Sequence, residues 1–146
     1  MKLLVRIVCF GVMAGMLVSA CVGSSKTPYT PVREKTKFEE STLLQASVRA
    51  LEEMDYEIGV EDADAYTVRS REKEVSVSSI PKLSYRYYWT IKTAEGKLSI
   101  DVACKENSAM DEKKFEACGG EVPEQINEDQ EQLLHKILVI AKEWTQ

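Results

Sequence analysis

The chain has 146 residues, 44% of them hydrophobic, with 19 basic and 24 acidic side chains and a formal charge of −5. That is enough apolar content for one packed domain of ordinary size. It is also too acidic a balance for a nucleic-acid partner, which asks for a basic patch.

Residues 1–20 read as a targeting segment. Lys2 and Arg6 make a short positive start, and an apolar run follows from Ile7 to Val18. A run of about twelve fits the roughly 7–15 of a signal core and falls short of the ~20 needed to span a bilayer. Val18, Ser19 and Ala20 then bring small residues up to Cys21. This stretch resembles the type II signal peptide of bacterial lipoproteins, with Val18-Ser19-Ala20-Cys21 as the lipobox. The resemblance implies cleavage before Cys21, a thioether-linked diacylglycerol and an amide-linked acyl chain on that residue. With Val22 in the next position, it also implies sorting to the outer membrane, facing the periplasm. Each buried CH₂ contributes about 0.8 kcal/mol, so two or three chains hold stably.

Residues 21–37 read as the lipidated cysteine and a flexible tether. Gly23, Ser24, Ser25, Pro28 and Pro31 break any hydrophobic period. Four basic residues (Lys26, Arg33, Lys35, Lys37) meet one acid, Glu34, whereas residues 38–146 hold 13 basic and 23 acidic ones. Such a stalk spans about 20–25 Å on average and holds a domain clear of a bilayer. It reads as a solvated linker, with contact to anionic headgroups as the alternative.

Residues 38–146 read as a single domain. Thr36 with Glu39 makes a capping-box pattern before a helix whose apolar face is Leu44, Ser47, Val48, Leu51 and Met54. Tyr56, Ile58 and Val60 alternate as a strand, and the acidic stretch 61–65 reads as a turn. Tyr66 and Val68 resume on even numbers, while Val75 and Val77 fall on odd ones. A period of two cannot change parity without a break, which places a bulge between Arg71 and Glu74. Ser78 to Lys82, with Pro81, reads as a connection.

Leu83 to Lys105 reads as a hairpin turning at Glu95-Gly96. That turn sets Ile91 opposite Ile100, Trp89 opposite Val102 and Tyr87 opposite Cys104, with both apolar rows on one face. Lys114 to Cys118 reads as a short edge strand, with Met110 and Phe115 folding under their loop. A last helix is expected from Asn127, with Gln130 three residues on, and a stripe of Leu133, Leu134, Ile137, Leu138, Ile140, Ala141 and Trp144. The expected fold is α+β: a two-layer sandwich, order αββββα, whose four- or five-stranded antiparallel sheet is covered on one face by the two helices.

Cys9 leaves with the signal and Cys21 is acylated, so Cys104 and Cys118 form an even pair in an exported chain. A disulfide is the expectation in that compartment. Zinc would need both with the single histidine, His135, at spacings no finger uses. His135 reads as a partly exposed helix residue beside the apolar stripe. Asp62 and Asp64 resemble the start of an EF-hand loop, but the glycine and terminal Glu are missing at the required spacing. No Gly-x-Ser-x-Gly elbow, dinucleotide fingerprint or Walker loop occurs, and neither a cofactor nor a metal is expected. The candidate binding surface is the outer hairpin face, with Arg86, Tyr88 and Thr90. The expected function is that of a non-enzymatic envelope lipoprotein that binds and assists another envelope protein. The alternative is a binder of a small or lipidic ligand between helices and sheet.

Overall fold

The computed structural model describes residues 25–79, 82–108 and 111–146. The expected signal peptide, Cys21 and Met110 lie outside the described residues. In chain order the elements are β1 (Lys26–Pro28), β2 (Val32–Lys35), α1 (Glu40–Glu53), β3 (Ile58–Asp62), β4 (Thr67–Ser70), β5 (Lys73–Ser79), β6 (Lys82–Ala94), β7 (Lys97–Ser108), β8 (Asp111–Glu112), β9 (Glu116–Ala117), β10 (Glu121–Pro123) and α2 (Glu124–Trp144). The fold is α+β, with a large antiparallel sheet and two helices.

The β6–β7 hairpin forms the sheet's spine. Its turn residues Glu95 and Gly96 have φ of 52° and 70°, the double left-handed conformation that matches the twist of the strands. Ile91 pairs with Ile100, Trp89 with Val102 and Tyr87 with Cys104, as the sequence pattern requires. These rows meet Leu43, Leu44 and Leu51 of α1 and Ile126, Leu133, Ile137 and Ala141 of α2 in one buried cluster. Trp144, expected in the stripe, is 46% exposed and sits under Arg49, whose guanidinium carbon is 5.8 Å from the ring centre. Cys118 donates its backbone N–H to Val102 and is disulfide-bonded to Cys104. The closed loop is about 15 residues, for which chain entropy contributes roughly 3 kcal/mol.

The sheet runs β2-β7-β6-β4-β3, with β5 continuing beside β6 and β8 and β9 beside β7. The expected parity break lies between β4 and β5. Arg69 pairs with Thr90 and Lys73 with Tyr87, so one strand takes four steps where its partner takes three. The Ser70 hydroxyl accepts the Trp89 N–H at 2.9 Å beside the break, which keeps that buried donor satisfied.

The tether is corrected over residues 26–35. β1 pairs with β10, and β2 pairs with β7, adding an edge strand that the expected four or five did not include. The Asn127 amide donates to the Thr27 hydroxyl (2.6 Å) and the Pro28 carbonyl (3.1 Å). Gln130 Nε2 donates to the Thr30 carbonyl at 2.8 Å. Tyr29 and Val32 pack against the core. The stalk's charges find partners in the acidic domain, Arg33 with Asp101 at 2.6 Å and Lys26 with Glu106 at 3.8 Å.

Both expected capping boxes are also corrected. α1 begins after Glu39 with no side-chain cap, because the Thr36 N–H is taken by the Gly96 carbonyl at 2.8 Å, prolonging the β2–β7 ladder. α2 begins three residues before Asn127, after Pro123, and likewise has no side-chain cap. Asn127 and Gln130 therefore serve the N-terminal strands. Replacing both by Ala should remove about 2 kcal/mol of local hydrogen bonding and raise the opening of residues 26–35 roughly 30-fold. Tryptic cleavage after Arg33, timed against wild type, measures this; an unchanged rate would mean the strands are held by their ladders alone.

Candidate functional site

The parity of the hairpin decides which side chains lie on the face opposite the helices. On β6 these are Arg86, Tyr88 and Thr90, all half-buried. The structure brings Tyr88 together with two residues that its own strand does not supply. The Phe115 ring lies 5.1 Å from the Tyr88 ring, tilted by 58°. The Arg69 guanidinium carbon sits 5.3 Å from the centre of the Tyr88 ring, and Lys105 Nζ 4.9 Å from the centre of the Phe115 ring. Cation–ring contacts of this kind contribute about 0.5–1 kcal/mol at exposed sites. Beyond Arg69, its pairing partner Val60 is 44% exposed. The result is one row across the sheet: Phe115, Tyr88, Arg69, Val60.

The other two predicted residues have partners of their own. Arg86 lies 3.5 Å from Glu72, and Thr90 pairs with Arg69 on one side and Asp101 on the other. Next to the row, the break at Arg71 and Glu72 opens a depression of about 590 Å³ lined by Gly59, Arg69, Ser70, Arg71, Glu72 and Tyr88. A Cβ on Gly59 would stand 3.2 Å from the Ser70 carbonyl oxygen, so a bulky residue there would force β3 away from β4. Arg71 is paired with Glu57 at 3.3 Å.

The inner aromatic face is packed rather than hollow at its centre. Tyr87 is 1% and Trp89 0% exposed. Tyr56 meets both rings edge-on, at centroid distances of 6.4 and 6.3 Å. The Tyr56 hydroxyl donates to the Asp129 carboxylate at 2.6 Å, so its 3.1 Å contact to Tyr87 has Tyr87 as donor. Burial, reinforced by the Asp129 bond, pushes the Tyr56 hydroxyl well above its ordinary range, and burial also raises Tyr87. Tyr29, whose hydroxyl accepts the Val102 N–H at 3.2 Å, is pushed by burial up to about 12. These groups hold their protons at neutral pH and act as structural hydrogen-bond donors and acceptors.

His135 is exposed on α2. Asp62 folds back on its own turn, accepting the N–H of Asp64 at 3.1 Å and of Ala65 at 2.9 Å. Among the described residues no three His, Cys, Asp or Glu side chains are grouped to hold a metal ion. Phe115 was legible as an apolar residue of its loop and Arg69 as an outward position of its strand. Their meeting at Tyr88 depends on β4 and β9 flanking the hairpin, which no local pattern states.

No protein-family model matches the chain, and neither does any curated protein. Among solved structures, it is similar to a TBP-like protein from Parabacteroides distasonis at 13% identity and TM-score 0.40, over 64% of this chain and 65% of that one. The chain thus spans just under two thirds of that protein's length. It is also similar to a DUF4468 family protein from Bacteroides ovatus at 10% identity and TM-score 0.42, over 77% and 84% of the two chains.

A tyrosine whose folded pKa is raised adds stability that is complete below its unfolded value of 10 and is lost as pH rises through the folded value. Thermal unfolding should therefore be flat from about pH 8 to 9.5 and fall between pH 10 and about 12, the range set by Tyr29. Tyr29→Phe should cost about 1 kcal/mol at neutral pH, since the Val102 N–H loses its acceptor, and should flatten part of the alkaline fall. An identical alkaline profile for wild type and variant would contradict this.

Proposed function

We propose that the protein is a lipid-anchored lipoprotein of the cell envelope, acylated at Cys21, that works by binding another envelope protein rather than by catalysis. The outer membrane, facing the periplasm, is the location this reading favours. The lipobox, Val22 after it and the disulfide-bonded pair agree with that address. The observation that carries the binding reading is the row of Phe115, Tyr88, Arg69 and Val60 on the sheet face that the helices leave uncovered. Tyr and Arg are the residue types most enriched where truncation costs binding energy. Five adjacent strands some 4.8 Å apart and a hairpin of about 40 Å give a face on the order of 800 Å², comparable to one side of a standard interface. The two-layer arrangement supports the same reading, since it commits one face of the sheet to the core and leaves the other to solvent.

The experiment joins address and surface. Palmitate should label the wild-type chain and not Cys21→Ser, and only the labelled form should fractionate with membranes. A photo-cross-linking amino acid at Tyr88 should give a discrete protein adduct in intact cells, and one at the exposed Glu131 should not. Against the partner so identified, Arg69→Ala should weaken binding by about 1–2 kcal/mol, roughly 5- to 30-fold. Labelled, membrane-bound protein with no adduct at position 88 would sink the binding reading and leave the anchor standing.

A further inference from the structure

Ser25 is tied to the start of α2. The Ser25 carbonyl accepts the Glu124 N–H at 2.9 Å, and its hydroxyl bonds the Glu124 carboxylate. Lys26, next in the chain, begins β1, and its Nζ lies 3.3 Å from the Tyr85 hydroxyl. From Cys21 to Ser25 is four residue steps, at most about 14 Å of extended chain. An anchor at Cys21 is therefore a leash far shorter than the domain. α2 has 21 residues and starts beside Ser25, so it carries its far end about 30 Å away. β6 has 13 residues, or about 40 Å.

The two ends of the domain are distinct. β1, β10 and the first turn of α2 gather at the leash. The Glu95-Gly96 turn meets the start of α1 at the opposite end, where the Glu95 N–H donates to the Glu40 carboxylate at 2.7 Å. The end of α2 runs toward it, with Trp144 against Arg49 in the third turn of α1. Charge does not select the near end, where Lys26 is offset by Glu106, Glu121 and Glu124.

We infer, granting the acylation of Cys21 proposed above, that the bilayer surface is the docking partner of the end formed by β1, β10 and the start of α2, and that the β6–β7 turn at Glu95-Gly96 points away from it. Geometry rather than lipid charge sets the orientation. Tyr88 lies three residues along β6 from Tyr85, which Lys26 of β1 reaches, and so about 10 Å from that end; its row then faces sideways, and its partner approaches in the plane of the membrane.

The test uses the full acylated protein in phosphatidylethanolamine vesicles, with and without phosphatidylglycerol, carrying a headgroup quencher. Fluorophores go on Gln125→Cys at the near end and Asp64→Cys at the far end, both exposed positions. Most of the emission should be lost at 125 and none at 64, with either lipid. A Gly/Ser insertion of ~16 residues after Ser24, which adds about 20–25 Å of reach, should erase the contrast. Equal quenching at both positions, or a contrast that survives the insertion, overturns the orientation in protein whose acylation mass spectrometry confirms. Vesicle binding that persists in Cys21→Ser instead overturns the anchor on which the orientation rests.

Discussion

Everything else in this domain follows from the register of one hairpin. Because Tyr87, Trp89 and Ile91 stand opposite Cys104, Val102 and Ile100, all six side chains point to one side, and a slip of one residue would send them all to the other. Two amphipathic helices then have a single place to bury their stripes. The same register hands Cys104 to the edge where β9 brings Cys118. It also turns Arg86, Tyr88 and Thr90 outward, so the candidate surface is the residue of a packing decision. The turn that sets this register needs Gly96 at φ 70°, a conformation in which a Cβ costs roughly 1–2 kcal/mol.

The hairpin was legible because turn chemistry and period-two pattern agree there over some twenty residues. The parity break before β5 was legible for the same reason, since Val68 and Val75 cannot share a face without an extra residue. The N-terminal strands were not. Lys26–Lys35 is a poor strand by composition, with two prolines nearby and four charges. It is held by what it meets: the Asn127 and Gln130 amides, the edge of β7, and carboxylates across the domain. Those same two amides look like a capping box in one dimension. A side-chain amide next to a helix start suits a free N–H of that helix and a carbonyl of a neighbouring strand equally well, and only tertiary contact chooses.

The candidate surface divides along the same line. Tyr88 and Arg86 could be placed on the outer face from alternation alone. Arg69 and Phe115 lie some twenty residues or more away in sequence and reach Tyr88 only because β4 and the β8–β9 stretch flank the hairpin on opposite sides. Phe115 is apolar and half-buried in a polar loop, a residue whose partner cannot be guessed without knowing which strand the loop covers.

The charges on this face also say how it could recognise a partner. Arg33 is matched by Asp101, Arg71 by Glu57 and Arg86 by Glu72, each pair exposed enough to contribute at most about 1 kcal/mol. Locally neutral pairs project little field past the ~8 Å over which physiological salt screens. Those three pairs therefore add little long-range attraction. What remains is short-range: a ring pair with cations laid over it, released from water on contact. Contacts of that kind raise residence time more than encounter rate, and a slow encounter is the step that confinement to a membrane plane relieves. Under the proposed acylation of Cys21, a short leash and this aromatic face are, in that sense, two halves of one arrangement.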